Sequence, residues 1–291
     1  MKEITPLPVS TETVARLQKI AAQVRRDIIR MVFNAQSGHP GGSLGCADFM
    51  AALFFEVMDI DPDRFTMDGI GEDVFILSNG HISPVFYSVL ARRGYFPISE
   101  LRTFRKIDSR LQGHPATAEG LPGVRIATGS LGQGLSVAVG AALSKRLNRD
   151  DHLVYCLQGD GELEEGQNWE AYAFAAHHGV DNLIVTIDYN RKQIDGPLPE
   201  VMNLEPLHQK LKAFGWHVLE MDGHNMAQII YTLEHAKKLT GSGRPIAVIM
   251  HTIMGKGVDF MEDDHRWHGS PPNQEQFERA LQQLPATLKD F

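Results

Sequence analysis

Two groups of residues in this 291-residue sequence carry side chains suited to chemistry at defined spacing. The first is Gly159-Asp160-Gly161, where the apolar run LVYCL (153–157) gives way to a helical pattern. Asn190 lies thirty residues beyond Asp160, just past the next apolar run, LIVTI (183–187). If the two runs are adjacent parallel strands, Asp160 and Asn190 both reach the crevice beyond the carboxyl ends of the sheet, where α/β folds bind ligands. A carboxylate and an amide oxygen are hard ligands of the kind magnesium takes together with phosphate oxygens and water. Gly161 lets the backbone come close to a phosphate and offers it an N–H. The second group is four histidines in glycine-flanked, irregular segments: His39 in SGHPGG, His81 in SNGH, His114 in QGHP and His268 in WHG. Imidazole suits proton transfer near neutral pH and hydrogen bonding to phosphate or sugar hydroxyls. The other nine of the thirteen histidines read as ordinary surface or turn residues. His177 and His178, for example, stand where a helix ends and its dipole favours them.

These groups need elements to hold them. Val14, Leu17, Ile20, Val24, Ile28 and Met31 recur at spacings of three and four, which predicts a helix over 10–36 with Ser10 or Thr11 as its cap. Gly38, Pro40, Gly41 and Gly42 break it, and a second helix is expected over 47–58. The run VFIL (74–77) reads as a strand, with a helix opening near Pro84. Residues 111–134 are rich in Gly and Pro and contain TGSLGQG; a helix then runs through Leu147. The second half alternates the strand-like runs 153–157, 183–187, 216–220 and 246–250 with helical stretches at 164–178, 204–214 and 226–239, and a last helix is expected at 273–284. Short buried strands alternating with helices predict an α/β fold, a mostly parallel sheet with helices on both faces. We expect a single domain over 1–291, with 10–58 as an N-terminal helical extension. The long polar segment 255–272 follows the last strand, and loops of that length are commonly functional.

The composition is 43% hydrophobic and 22% charged, that of a globular chain and not of a disordered or collagen-like one. A net charge of -8 argues against nucleic acid as a partner, because phosphate backbones select basic faces. Cys46 and Cys156 stand far apart, outside any CxxC spacing, and give neither a zinc site nor a disulfide framework. The opening MKEITPLPVS lacks an apolar signal core. The longest apolar runs fall far short of the ~18 residues of a membrane span. The expectation is a cytoplasmic protein without a membrane partner.

Taken in order over about residues 20–270, SGHPGGSLG, LSNGH, GHP followed by TGSLGQG, GDGELEEG with Asn190, and the late WHG resemble the N-terminal domain of transketolase. The pairing of GDG with Asn190 resembles the signature of thiamine-diphosphate enzymes in general. The resemblance implies the thiamine-diphosphate-binding fold. It also implies a divalent cation, magnesium with calcium or manganese as substitutes, held by Asp160, Asn190 and the backbone carbonyl of Lys192. His81, Gly159, Gly161 and His268 would meet the diphosphate. Gly129, Ser130 and Leu131 match a cofactor-contacting segment that commonly has Pro where Ser130 stands, and Ile194 would pack on the thiazolium. His39, His114 and His268 would line the substrate channel and handle sugar hydroxyl protons. Glu165 matches an acidic residue buried near a subunit interface.

Transketolase chains are normally more than twice this length. Their second domain binds the aminopyrimidine ring and supplies the glutamate that activates the cofactor. The loop GKGVDFMEDDHRWHG resembles the form found in split transketolases. The resemblance therefore implies the N-terminal subunit of a two-subunit enzyme, an α2β2 heterotetramer with a C-terminal, aminopyrimidine-binding partner. Its activity would be transfer of a two-carbon ketol unit between sugar phosphates. The alternatives are a subunit of a deoxyxylulose-phosphate-synthase-like enzyme, the α subunit of a 2-oxo-acid dehydrogenase, a transketolase for a specialised sugar, and a non-catalytic homologue.

Overall fold

The computed structural model describes residues 9–291. Residues 1–8, which hold most of the stretch searched for a targeting signal and the start of the expected domain, lie outside the described residues. Helix α1 (Thr11–Ala35) starts at Ser10, whose hydroxyl accepts the Thr13 N–H at 3.0 Å, so Ser10 is the cap. Leu17, Ile20, Val24, Ile28 and Met31 form its buried stripe, as their spacing predicts. Two short helices follow, α2 (Pro40–Gly45) and α3 (Ala47–Ala52). The helix expected over 47–58 changes character after Ala52. Residues Leu53–Val57 form a π-helical turn in which the Met58 N–H reaches Leu53 O at 3.0 Å.

Helices α4 (Ser83–Arg93), α5 (Gly134–Leu147), α6 (Gly166–His177), α9 (Met226–Leu239) and α10 (Gln274–Gln283) fall within a few residues of their predicted places. The stretch read as one helix over 204–214 is different: α7 (Leu198–Val201) lies before it and α8 spans Leu207–Ala213. Pro206 has no N–H to give a helix and steers the residue before it out of helical geometry, so the helix forms only beyond it.

Strands β1 (Val74–Leu77), β2 (Val154–Gly159), β3 (Leu183–Tyr189), β6 (His217–Asp222) and β7 (Ile246–His251) make one parallel sheet in the order β1-β2-β3-β7-β6. A small antiparallel ribbon, β4 (Lys192–Gln193) with β5 (Gly196–Pro197), follows β3 directly.

Alternation along the strands splits the core in two. Phe75, Leu77, Tyr155, Leu157, Ile184, Val248 and Met250 pack with residues of α1, α3, α4 and α9. Val74, Ile76, Val154, Cys156, Val185, Ile187 and Ile249 pack with residues of α5, α6 and α8. Both faces are covered, as an all-parallel sheet requires. The chain leaves β1 toward the first layer and leaves β2 and β3 toward the second. The carboxyl ends of the strands therefore border a crevice where the connections part.

Candidate functional site

That crevice holds a cavity of about 240 Å³ lined by segments from four strand ends. Asn79 and His81 follow β1, Gly159–Glu162 end or follow β2, and Asp188 and Asn190 end or follow β3. Met254 and His268 come after β7, and His39 and Gly42 enter from the start of α2. The register of β2 on β3 sets Gly159 beside Asp188. One step on, the Asp160 N–H donates to Asp188 O at 3.2 Å, and the Asp160 carboxylate accepts the N–H groups of Gly161, at 2.8 Å, and Arg191. Asn190 donates to Asp188 Oδ2 at 3.0 Å and accepts the Lys192 N–H at 2.9 Å. The spacing argument for Asp160 and Asn190 thus holds in space: β2 and β3 are parallel neighbours, and both residues line one cavity.

Sequence reasoning passed over Asp188. It is 2% exposed, as is Asp160, and neither forms an ion pair among the described residues. Burial, and then the neighbouring Asp188 charge, push the Asp160 carboxyl well up, and burial pushes Asp188 up. Two buried carboxylates without a counter-charge are costly unless a cation joins them. Among the described residues no three His, Cys, Asp or Glu side chains gather into a metal shell. A cation here would be completed by the Asn190 amide oxygen, backbone oxygens and the ligand's own phosphate, a donor set of the type magnesium favours. The signal for Asp188 was present, as it is the one charged residue in the wholly buried strand LIVTIDY.

Glu162 is a second buried carboxylate that the motif reading did not single out. It accepts the Ser78 hydroxyl and the N–H groups of Gly132, at 2.9 Å, and Gly159, at 3.1 Å, joining the ends of β1 and β2 to the TGSLGQG segment. Gly80 brings the same segment against the end of β1. A Cβ on Gly80 would stand 2.4 Å from Thr128 Oγ1 and 2.8 Å from Gly129 N.

The four histidines converge. The His39 ring centre lies 5.1 Å from that of His81, 6.2 Å from His114 and 5.6 Å from His268, and His81 stacks on His268 at 5.0 Å. Burial pushes all four imidazoles down, His39 to about 4 with the help of His268, Arg105 and His114, and His81 well below the usual value. The cluster is a set of neutral rings. The buried Nδ1 atoms of His39 and His268 and Oδ1 of Asn79 have no hydrogen-bond partner, although all three residues line the cavity. Buried polar atoms left open in this way point to a polar ligand.

Of the other predicted residues, Gly129, Leu131, Gly161, Lys192 and Ile194 also line the cavity, with Ile194 61% exposed at its mouth. The Lys192 ammonium turns to Asp263, 3.2 Å away. His114 stands outside the lining, beside Gly129, where a Cβ would meet its ring at 2.7 Å. Ser130 is exposed and is not brought into the cavity. Glu165 is exposed on the single chain at the start of α6, while Glu162 is the buried acid of that motif. No helix of the described residues is long and apolar enough to cross a membrane.

A family model described as "Transketolase, thiamine diphosphate binding domain" matches residues 17–289. The chain is 40% identical over 269 residues to a 6-deoxy-6-sulfo-D-fructose transketolase subunit (SqwG) from Clostridium sp. (strain MSTE9), covering 92% of this chain and 96% of that protein. It is 38% identical over 279 residues to one of the subunits of an apulose-4-phosphate transketolase from Phocaeicola vulgatus, covering 95% of this chain and 96% of that one. Among solved structures, transketolase from Leishmania mexicana superposes with a TM-score of 0.86 at 32% identity, over 94% of this chain and 42% of that one. The chain therefore spans nearly all of the subunit-type relatives and less than half of the solved transketolase chain.

Proposed function

The chain belongs to the transketolase family, through its thiamine-diphosphate-binding domain, and from that premise we propose that it is the diphosphate-binding subunit of a two-subunit transketolase. In this reading residues 1–291 act as one domain. With an aminopyrimidine-binding partner it transfers a two-carbon ketol unit from a ketose phosphate to an aldose phosphate. The observation that carries the reading is one cavity where a buried carboxylate pair meets the rings of His39, His81 and His268, with His114 packed just behind them. The coverage of the subunit-type relatives supports a split enzyme.

Asp160, Asn190 and the Lys192 carbonyl would hold a divalent cation, magnesium in our reading, with Asp188 behind them. Gly159, Gly161, His81 and His268 would receive the diphosphate, which fits the open Nδ1 of His268. Gly129, Ser130 and Leu131 would meet the cofactor through their backbone, and Ile194 would pack on its ring, which suits an apolar side chain left exposed at the mouth. When bound, the cofactor supplies the electron sink for cleavage of the ketose. The work of this chain would be to orient it and to move protons: the His39 and His114 rings, with His268, would accept and return sugar hydroxyl protons, which their clustering supports. Glu165 would be covered by a second subunit in an α2β2 assembly. The exposed Val137 and Phe174 on α5 and α6 suit such a contact. Acidic net charge and two free, buried cysteines fit the cytoplasm.

The test is an assay of the chain reconstituted with its aminopyrimidine-domain partner, offering xylulose 5-phosphate in one arm and pyruvate in the other, with an aldose phosphate acceptor. Ketol transfer from the ketose is the expected result. Turnover confined to pyruvate would move the chain to the synthase class.

A further inference from the structure

The guanidinium of Arg105 is not among the residues lining the cavity, yet it acts on two rings of the histidine cluster. Arg105 has φ 56°, in the left-handed region that a non-glycine residue enters at a cost. Its N–H donates to Leu111 O at 2.9 Å, closing the turn between them. Its Nη1 donates to Ser37 Oγ at 2.9 Å, two residues before His39. The same guanidinium lies against the backbone of Gly113, the residue before His114. A Cβ on Gly113 would stand 2.4 Å from Cζ and 2.6 Å from Nε and Nη2, so only glycine leaves room for it. The Nε atom is buried without a partner. No carboxylate acts on the group. Burial lowers its own pKa, opposed only by Tyr87.

We propose that Arg105 is a positioning residue for the two histidines on the substrate side: one unneutralised cation ties the loop of His39 to the loop of His114 and adds to the burial that keeps both rings from taking up a proton. The inference rests on the reading that His39 and His114 face the sugar. A protonated imidazole has no lone pair with which to accept a hydroxyl proton, so a ring held neutral stays a competent acceptor as the pH falls. A nearby cation disfavours a second positive charge, and the effect is strongest where water is excluded.

Different groups face each ring. His39 meets His81, His114 and His268 as well as Arg105, and burial is the first cause of its lowered pKa. His114 is lowered by burial and then by Arg105. His81 is lowered by burial and the other three histidines, and His268 by burial against the opposing charge of Asp195, with no part for Arg105 in either. Tyr87 flanks the guanidinium, with Glu119 beyond it. Two rings therefore feel Arg105 and two do not.

The test is an NMR titration of the imidazoles in the full chain without cofactor, each ring assigned by its own His→Gln variant, with Arg105→Gln, Arg105→Lys and Gly113→Ala compared with wild type. In Arg105→Gln the midpoints of His39 and His114 rise while those of His81 and His268 hold. Arg105→Lys keeps the charge and stays near wild type. Gly113→Ala displaces the guanidinium and moves the same two rings in the same direction. In the enzyme reconstituted with its partner, the acid limb of the kcat/KM profile of Arg105→Gln moves to higher pH. Unchanged midpoints in Arg105→Gln, or all four rings moving together, would overturn the proposal. Should the reconstituted wild type show no ketol transfer, the functional reading fails while the titration still decides the role of Arg105.

Discussion

Asp160 and Asp188 each lie 2% exposed with backbone or neutral side-chain donors around them and no ion pair among the described residues. Their mutual repulsion is what the proposed cation would relieve, so without one the pair is a local liability. Asp160→Asn removes one charge at the cost of one backbone hydrogen bond, since Asp160 meets the Gly161 and Arg191 N–H groups with separate oxygens. We expect this variant, without added cation or cofactor, to be more stable than wild type by about 1–2 kcal/mol, or ~2–4 °C in Tm. It should also lose magnesium-dependent binding of thiamine diphosphate in the assembled enzyme. Scanning calorimetry and cofactor titration, each with and without chelator, check both halves. Tight, chelator-insensitive cofactor binding by the variant would remove Asp160 from the cation site.

At the scale of elements, the strand ends are wired together by few groups. Glu162 alone accepts from the end of β1 through Ser78, from the end of β2 through Gly159, and from the TGSLGQG segment through Gly132. Glu162→Ala leaves three donors open, two of them buried, and should cost about 3–5 kcal/mol in denaturant unfolding, with weaker cofactor binding as the segment loosens. A loss under about 1 kcal/mol would show that the three segments are held by packing instead.

On the far side of the molecule α1 is tied to segment 288–291. Arg26 donates twice to Asp290, at 3.1 and 2.8 Å, and Gln23 donates at 2.7 Å. The Arg26 hydrogen bond is the main cause holding the Asp290 carboxyl down at about 2, against burial. A depressed carboxylate contributes stability above its unfolded value of ~3.9 and loses it as the pH falls. Asp290→Asn should therefore cost about 1 kcal/mol at neutral pH. Its Tm deficit should close as the pH falls from ~4 toward about 2. A deficit independent of pH would assign the effect to packing.

For the whole molecule, the decisive quantity is how much of a ligand the chain encloses. Its cavity of about 240 Å³ is smaller than the ~300–1,000 Å³ of sites that bury a complete small ligand, and it is open at Ile194. In the proposed reading the described residues offer a pocket for the diphosphate end and leave the rest uncovered. We expect the chain alone, even with saturating cofactor and magnesium, to show no measurable ketol transfer. Activity should appear in proportion to complex formed as the partner is added. The measurement is turnover by a preparation whose mass excludes a second polypeptide, and robust activity there would overturn the split-enzyme reading.

Sequence alone marked most of the elements and the residue types gathered at the candidate site. Periodicity marked the buried stripe of α1 and the alternating strands, because burial on one face leaves a repeat of 3.6 or 2 in the residues themselves. Motif spacing put Asp160 and Asn190 one β-α-β unit apart, and a parallel sheet turns that spacing into adjacency. Glycine-flanked histidines were visible as unusual turn residues. Tertiary structure decided whatever depends on distances between segments far apart in the chain. Residue types did not say that β7 lies between β3 and β6, bringing Met254 and His268 into the cavity, because strand order leaves no trace in local pattern. They did not separate Glu162 from Glu165 in ELEEG, since which acid is buried depends on Ser78 and Gly132 arriving above it. The one charge in LIVTIDY marked Asp188 without showing that Asp160 stands beside it, and nothing local marked Arg105, a guanidinium on which no carboxylate of the described residues acts, a property of the assembled fold and not of any segment.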